Sequence, residues 1–348
     1  MMKVRKVAND EGAAWDELVS SSRQRDIFLF HEFQTAWCEA DPSLYLLRLG
    51  CYDESGKLIG GQAIFHKKVF SLRIPTTLSI FYASTPILSS VVQDNSRQQY
   101  AVLSALARDS RKYFPFMKIE FHPTLTDVRP YLDQGWFAQH EYTYVWEISD
   151  PNLVLKNMHR KRKYVRKAQE QFLFAYETGD TIVNDFLRLY RETMQKFGWR
   201  PEERWGKILR KRIEWMQTRD LVRLYTCRTK KDELVGVVMC ILSRVNRTAY
   251  FVLIGYDHSI NSKEFHPATH WYAAQDLSSE FSFADFGEAP QQNLYATKDS
   301  LGTYSTPYWK LETQNTRRWS QYYNMLRKIK LAITNRQPQH SDDQKDFP

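Results

Sequence analysis

Two apolar hairpins set at one fixed offset constrain this chain more than anything else in it. Residues 44–52 and 58–65 alternate as strands and are joined by Asp53, Glu54, Ser55 and Gly56, a turn composition that makes a hairpin. The segment RLYTCRTKKDELVGVVMCIL reads the same way, and a shift of 176 residues lays Cys227, Leu234, Val235 and Gly236 on Cys51, Leu58, Ile59 and Gly60. Solenoid units run about 20 to 50 residues, so a period this long implies duplication of a whole domain. A chain of 348 residues has room for two domains of roughly 100 to 200 residues each.

The flanking elements repeat in the same order. The first half reads as a strand at 3–7, a helix at 12–19 with Trp15 and Leu18 inward, and a helix at 31–40 offering Phe33, Ala36 and Trp37. After the hairpin come a strand at 78–82, a helix at 96–113, a strand at 116–121, a helix at 128–134 ended by Gly135, and a strand at 143–148. The second half reads as helices at 181–196 and 206–218, the second hairpin, a strand at 248–255, a helix at 267–280 and a strand at 281–286. Gly302 then corresponds to Gly135, and a last strand follows at 308–312. The expected fold is α+β: two tandem domains, 1–150 and 151–334, each a mixed, mostly antiparallel sheet flanked by helices, with a disordered tail over 335–348. Within the second domain, residues 319–333 are amphipathic and basic. They read as a C-terminal helix packed on its own domain or, alternatively, resting on anionic lipid as a peripheral membrane contact.

Between the halves stands KNMHRKRKYVRKAQ, residues 156–169. At about 100° per residue, a helix here gathers Met158, Val165, Ala168 and Phe172 on one face, with Arg160, Lys163 and Lys167 opposite and Arg162 and Arg166 at the border. No acid occurs between Lys156 and Lys167, and the whole chain carries a net charge of +9. A solvated basic face is one reading. A site for a phosphate-bearing molecule is the other.

Much chemistry lacks support. There is no GxSxG, HExxH, Walker A or GxGxxG motif, and no cysteine and histidine set with metal spacing, so neither a metal nor a nucleophilic hydrolase is expected. Cys38, Cys51, Cys227 and Cys240 stand far apart and read as reduced residues of a cytosolic protein. The N-terminus has no apolar run, and no stretch reaches the roughly 18 apolar residues of a membrane span. A cytoplasmic location follows, at most peripheral at the inner face of the membrane.

The densest polar set is FADFGEAPQQNLYATKDSLGTYSTPYWKLET, which places Asp285 at a strand end, Gly287 where the backbone turns and Lys298 ahead of the Gly302 turn. A lysine held there could stabilise an oxyanion or grip a phosphate; a surface lysine and a turn-capping aspartate are the plainer readings.

Taken in order, the basic RKRKYVRKA, a helix pair, a hairpin, a strand, a helix, FADFGE and LYATKDSLG resemble the FemAB-like branch of the GNAT acyltransferase superfamily. IFLFHEFQTAW and FYASTPIL are similar to parts of that family's first domain, so the likeness runs from about residue 3 to 330. It implies two tandem GNAT-like domains, the second catalytic and the first degenerate, with substrates in the cleft between them or in the second domain. The implied activity is N-acyl transfer, from acyl-CoA or aminoacyl-tRNA to a small-molecule or lipid-linked amine acceptor such as a cell-envelope or surface-polysaccharide precursor. Carried over, Arg162 and Arg166 (with Arg160 beside them) match the family's arginine-rich helix, Asp285 and Gly287 its FDxG, and Lys298 the lysine suspected of steadying the reacting carbonyl. Thr297 and Leu301 stand where the family has Phe. The loop YDHSINSKEFHPA lacks the pyrophosphate loop of simple acetyltransferases, so the donor stays open.

An attacking amine must lose a proton. His266, Asp257, Glu288 and Asp285 fall on the expected side as acceptors for it, and Tyr250 and Tyr256 are candidates for lining the acceptor site. A basic nucleic-acid-binding protein and an inactive protein with only the fold are the alternatives.

Overall fold

The computed structural model describes residues 2–313, apart from 70–71, 77–81, 115, 197, 200, 261 and 290–291. The readings of 319–333 as a helix and 335–348 as a tail lie outside the described residues, as does most of the strand expected at 78–82.

In chain order the first half consists of β1 (Lys3–Lys6), α1 (Gly12–Ser21), α2 (His31–Ala40), β2 (Leu44–Tyr52), β3 (Leu58–Val69), β4 (Leu72–Pro75), β5 (Pro86–Leu88), α3 (Ser90–Gln93), α4 (Ser96–Tyr113), β6 (Lys118–Glu120), α5 (Arg129–Leu132) and β7 (Trp136–Glu147). The second consists of α6 (Pro151–Asn157), α7 (Arg162–Gln171), β8 (Phe172–Glu177), α8 (Asp180–Lys196), α9 (Glu203–Gln217), β9 (Val222–Thr229), β10 (Leu234–Ser243), β11 (Thr248–Tyr256), α10 (Ser262–Leu277), β12 (Phe283–Glu288), α11 (Gln292–Ser300) and β13 (Tyr304–Thr313). The fold is α+β, with one antiparallel sheet and one mixed sheet flanked by helices.

The two hairpins share their register down to a defect. Cys51 pairs with Gly60 and Cys227 with Gly236, and in each case the ladder slips at the following step, skipping Ile59 and Val235. A β-bulge repeated at the same place in both halves is a designed feature of the backbone. Gly135 and Gly302, at φ +75 and +74, likewise turn the chain into β7 and β13.

Those last two strands exchange places. A five-stranded sheet holds β1 to β5, and an eight-stranded sheet runs β6, β13, β7, β12, β11, β10, β9, β8. Thus β13, from the end of the chain, lies against β6 of the first half, while β7 of the first half lies against β12 of the second. The two also pair antiparallel with each other, from Tyr304 opposite Val145 to Thr313 opposite Trp136. The strand expected at 143–148 therefore begins at Trp136 and is a shared element of both halves.

Helices close the junction. Phe33 and Trp37 of α2 meet Trp215 of α9, with Phe33 and Trp37 stacked at 5.2 Å and Trp215 edge-on to Phe33 at 5.7 Å. One continuous core runs from Trp15, Phe28 and Phe33 to Phe186, Ile213 and Tyr250, so the halves bury apolar surface against each other. The basic stretch is not one helix. It breaks at His159, whose φ is +42, into α6, a 3₁₀ turn and α7. Met158, Val165 and Ala168 are fully buried as expected, while Phe172 already belongs to β8.

Candidate functional site

Asp285 sits where the central sheet stops being continuous. β11 and β12 run parallel and pair Thr248 with Phe283, Ala249 with Ala284 and Tyr250 with Asp285. No further rung joins them, although both strands continue, so a gap opens just past Asp285. On its other side β12 carries a bulge: Asp285 faces Val145 and Glu288 faces Thr143, leaving Phe286 and Gly287 opposite the single residue Tyr144. Glycine takes the φ of +69 at Gly287 without strain.

That bulge explains the two residues taken from FADFGE. The Asp285 carboxylate accepts hydrogen bonds from Thr143 Oγ1 and, at 2.7 Å, from the backbone N–H of Gly287. Burial at 5% exposure pushes its pKa up to about 6, with the Thr143 and Gly287 bonds and Lys298 pulling the other way. Gly287 has both backbone groups engaged, its N–H on Asp285 and its carbonyl on Lys298, so the expected role in holding a cofactor directly is not what its geometry offers.

Lys298 also departs from expectation. Its ammonium donates to the carbonyls of Phe286, Gly287 and Glu288 at 2.6, 2.8 and 2.6 Å. An ammonium has three protons, and all three are taken, which leaves none for a reacting carbonyl. Burial lowers its pKa to about 8, against the attraction of Asp285 and Glu288. In this arrangement Lys298 locks the bulge that positions Asp285.

His266 is inside α10, which begins at Ser262 rather than at the expected 267. Its ring lies 4.4 Å from that of His270, and burial, His270 and Lys161 together hold its pKa well below the usual imidazole value. An imidazole so disfavoured as a cation is a poor proton acceptor. His270 stacks on Phe251 and Phe286 beside the gap in the sheet. Glu288 is tied to Lys310 at 3.1 Å and to the Tyr308 hydroxyl at 3.0 Å, and Asp257 caps its own turn through Ser259. Neither is placed to serve as the base.

Arg162 and Arg166 are exposed on α7 and line a surface depression of about 450 Å³ with Lys163 and Lys167. The side chain of Arg160 lies outside the described residues. Asp285 and Tyr250 line a different cavity, of about 340 Å³, between the halves. The two regions are linked through α10, against which α7 packs, with Lys161 acting on His266 and Lys298 on His270. Tyr256 lies six residues beyond Tyr250, about 20 Å along the strand, and packs on His258 at 4.3 Å away from the cavity.

The first half contributes residues that no motif marked. Tyr82, 4% exposed, lines the cavity and bonds Thr143, and its ring meets those of His122 and Tyr308. Burial lowers the His122 pKa to about 4, so this ring is neutral. Asp26, wholly buried, accepts from the Tyr250 hydroxyl and, at 2.7 Å, from Asn246 Nδ2. Burial raises its pKa to about 7 against those hydrogen bonds. An acid ahead of the apolar run IFLF was the one sequence signal available for it, as the cap of a turn. Among the described residues no cluster of histidine, cysteine, aspartate and glutamate is grouped to hold a metal, and no helix is long and apolar enough to cross a membrane.

Comparison with known proteins bears on the fold. The profile of the GNAT acetyltransferase domain matches residues 154–292. The structure is similar to a crystal structure of FemX, with a TM-score of 0.65 at 13% identity, covering 92% of this chain and 99% of that one. A tandem GNAT protein from the clavulanic acid biosynthesis pathway gives 0.53 at 11% identity, over 90% and 98%. The C-terminal domain of a putative lysylphosphatidylglycerol synthetase from Agrobacterium fabrum gives 0.55 at 9% identity, over 89% and 93%. At these identities the likeness is one of fold. No curated protein matches the chain.

Proposed function

We propose, on the premise that the chain is a FemAB-like GNAT acyltransferase with its acetyltransferase domain over residues 154–292, that it moves an acyl or aminoacyl group from a phosphate-bearing donor to an amine bound between the halves. The observation that carries this reading is Asp285: a buried carboxylate on the wall of the inter-half cavity, at the rung where β11 and β12 part. A carboxylate whose pKa is raised to about 6 is ionised at neutral pH yet accepts a proton more readily than an ordinary aspartate.

In this mechanism the amine enters the cavity as ammonium and gives its proton to Asp285. The free amine attacks the acyl carbon of the donor, whose reactive end lies in the gap beside Phe251 and Phe286. The tetrahedral intermediate collapses as its second amine proton passes to the departing sulfur or oxygen of the donor, which leaves as a thiol or a hydroxyl. Lys298 holds the bulge, and with it the aim of the carboxylate. Arg162 and Arg166 on exposed α7 supply fixed positive charge for donor phosphates, which both acyl-CoA and aminoacyl-tRNA carry. The acceptor is an amine of the kind found on cell-envelope or surface-polysaccharide precursors, a reading favoured by the fold shared with FemX and with the lysylphosphatidylglycerol synthetase domain.

The test is mass spectrometry of products after incubation of the full chain with a panel of acyl-CoA and aminoacyl-tRNA donors and a panel of amines. N-acylated product from at least one pair, and none with Asp285→Asn under the same conditions, is the expected result. Product formed equally by the variant contradicts the role given to Asp285.

A further inference from the structure

The loop of the first half that borders the cavity is built as an alternating display. Ser22, Gln24 and Asp26 are buried at 2%, 2% and 0% exposure. Each is tied inward: Ser22 Oγ donates to Gln24 Oε1 at 2.8 Å, Gln93 Nε2 donates to the same oxygen at 2.6 Å, and Asp26 receives Tyr250 and Asn246 of the second half. Next to Asp26, the backbone N–H of Ile27 donates to Ser243 Oγ at 3.0 Å. With both neighbours pinned, residues 23 and 25 have to point the other way. Both are exposed, and both line the cavity that also holds Asp285.

The two arginines are not equivalent. Arg23 is paired with Asp94 at 2.6 Å. Arg25 has no carboxylate partner among the described residues, and the one acid among the residues that line the cavity, Asp285, is buried and engaged by Thr143 and Gly287. The cavity is therefore lined by an exposed guanidinium with no carboxylate partner and by a buried carboxylate. A ligand complementary to both groups carries a cationic nitrogen and an anionic group in one molecule. Guanidinium suits carboxylate and phosphate alike through paired hydrogen bonds.

We propose that Arg25 reads an anionic group on the acceptor, so that the amines acylated at Asp285 are those that also bear a carboxylate or a phosphate. In calling this ligand the acceptor, the proposal rests on the acyltransferase reading. Arg25 is then a specificity-determining residue supplied by the first half, and the Asp26 contacts to Tyr250 and Asn246 are what hold it at the site.

Binding to the full chain, measured by isothermal titration calorimetry, tests this with two matched pairs of probes: β-alanine against β-alaninamide, and O-phosphoethanolamine against ethanolamine. In at least one pair the anionic probe is expected to bind about tenfold more tightly, the equivalent of about 1.4 kcal/mol. The pair with the larger ratio identifies carboxylate or phosphate as the group read. Arg25→Gln should bring the ratio to about one with Tm unchanged, and Arg25→Lys should restore part of it. Equal affinities in the wild type, a ratio unaltered in Arg25→Gln, or no binding of any probe overturns the proposal. The two readings fail separately. Acylation of neutral and anionic amines at equal kcat/KM removes the role of Arg25 and leaves the transferase standing, whereas an intact Arg25-dependent ratio with no product from any donor removes the transferase and leaves the anion site.

Discussion

Tyr250 and Asp285 form the last rung between two parallel strands, and each belongs to a buried acid system: Tyr250 donates to Asp26, and Asp285 accepts from Thr143 and Gly287. The junction of the halves and the parting of the central sheet therefore coincide at one pair of residues. The site is composite, since Asp26 and Tyr82 come from the first half, Thr143 from the exchanged strand β7, and Asp285 and Lys298 from the second.

Lys298→Met should cost stability before it costs chemistry. It leaves the carbonyls of Phe286, Gly287 and Glu288 without their donor, at about 1–3 kcal/mol for a buried polar group left unpaired. A lower Tm together with a reduced rate is expected. A large loss of kcat at unchanged Tm would instead return Lys298 to direct contact with the reacting carbonyl.

Gly302→Ala should be among the most damaging small substitutions. A Cβ there would stand 2.3 Å from the carbonyl oxygen of Asn157 and 3.0 Å from the backbone nitrogen of Met158, at a φ of +74. Neither backbone group can yield easily, so a loss of about 2–4 kcal/mol in chemical denaturation is expected. Gly56→Ala, with a similar φ of +84 but open space around it, is the control and should cost only about 1 kcal/mol.

Stability should decline as pH rises through the range in which the buried acids ionise. Asp26 and Asp285 have folded-state pKa values of about 7 and about 6, above the usual aspartate value near 3.9. A carboxyl whose pKa is raised on folding favours the folded state when protonated. That contribution is fully present below about pH 4 and is lost as pH climbs past the folded values. Between pH 5 and 8 the Tm of Asp26→Asn should vary less than that of the wild type; parallel curves would show that Asp26 does not titrate in this window.

Removing Arg162 and Arg166 together should raise the donor KM about tenfold or more, leave kcat nearly unchanged and weaken the salt dependence of kcat/KM. Both side chains are exposed on α7, so a folding defect is not expected. An unchanged donor KM would reduce the basic helix to a solvated surface.

Much of this architecture was legible in the sequence. The helix at 96–113 is observed with those bounds, and the alignment of Cys51 with Cys227 and Gly60 with Gly236 reappears as identical strand register and an identical bulge. Local periodicity encodes such features because each element buries one face. The first part of β7 was not legible, because its residues from Phe137 to Tyr142 are exposed or half-buried and carry no apolar alternation. The exchange of β7 and β13 is a pairing across more than 150 residues, for which no local pattern exists.

At the site, Asp285 and Gly287 stood out because a glycine bulge after a strand leaves a trace in composition. Arg25, Asp26 and Tyr82 did not, because their importance comes from what the other half places beside them. Lys298 was found for its charge. Its commitment to three carbonyls depends on how β12 bends, which residue types alone do not disclose.

The most direct test of the central claim is the pH dependence of acyl transfer under single-turnover conditions, comparing wild type with Asp285→Asn on the same donor and amine. Asp285 as the proton acceptor predicts a wild-type rate that rises through about pH 6 towards a plateau, and a variant slower by about 10²-fold or more that lacks this inflection while remaining folded. A variant that keeps both the wild-type rate and the inflection near pH 6 would contradict it.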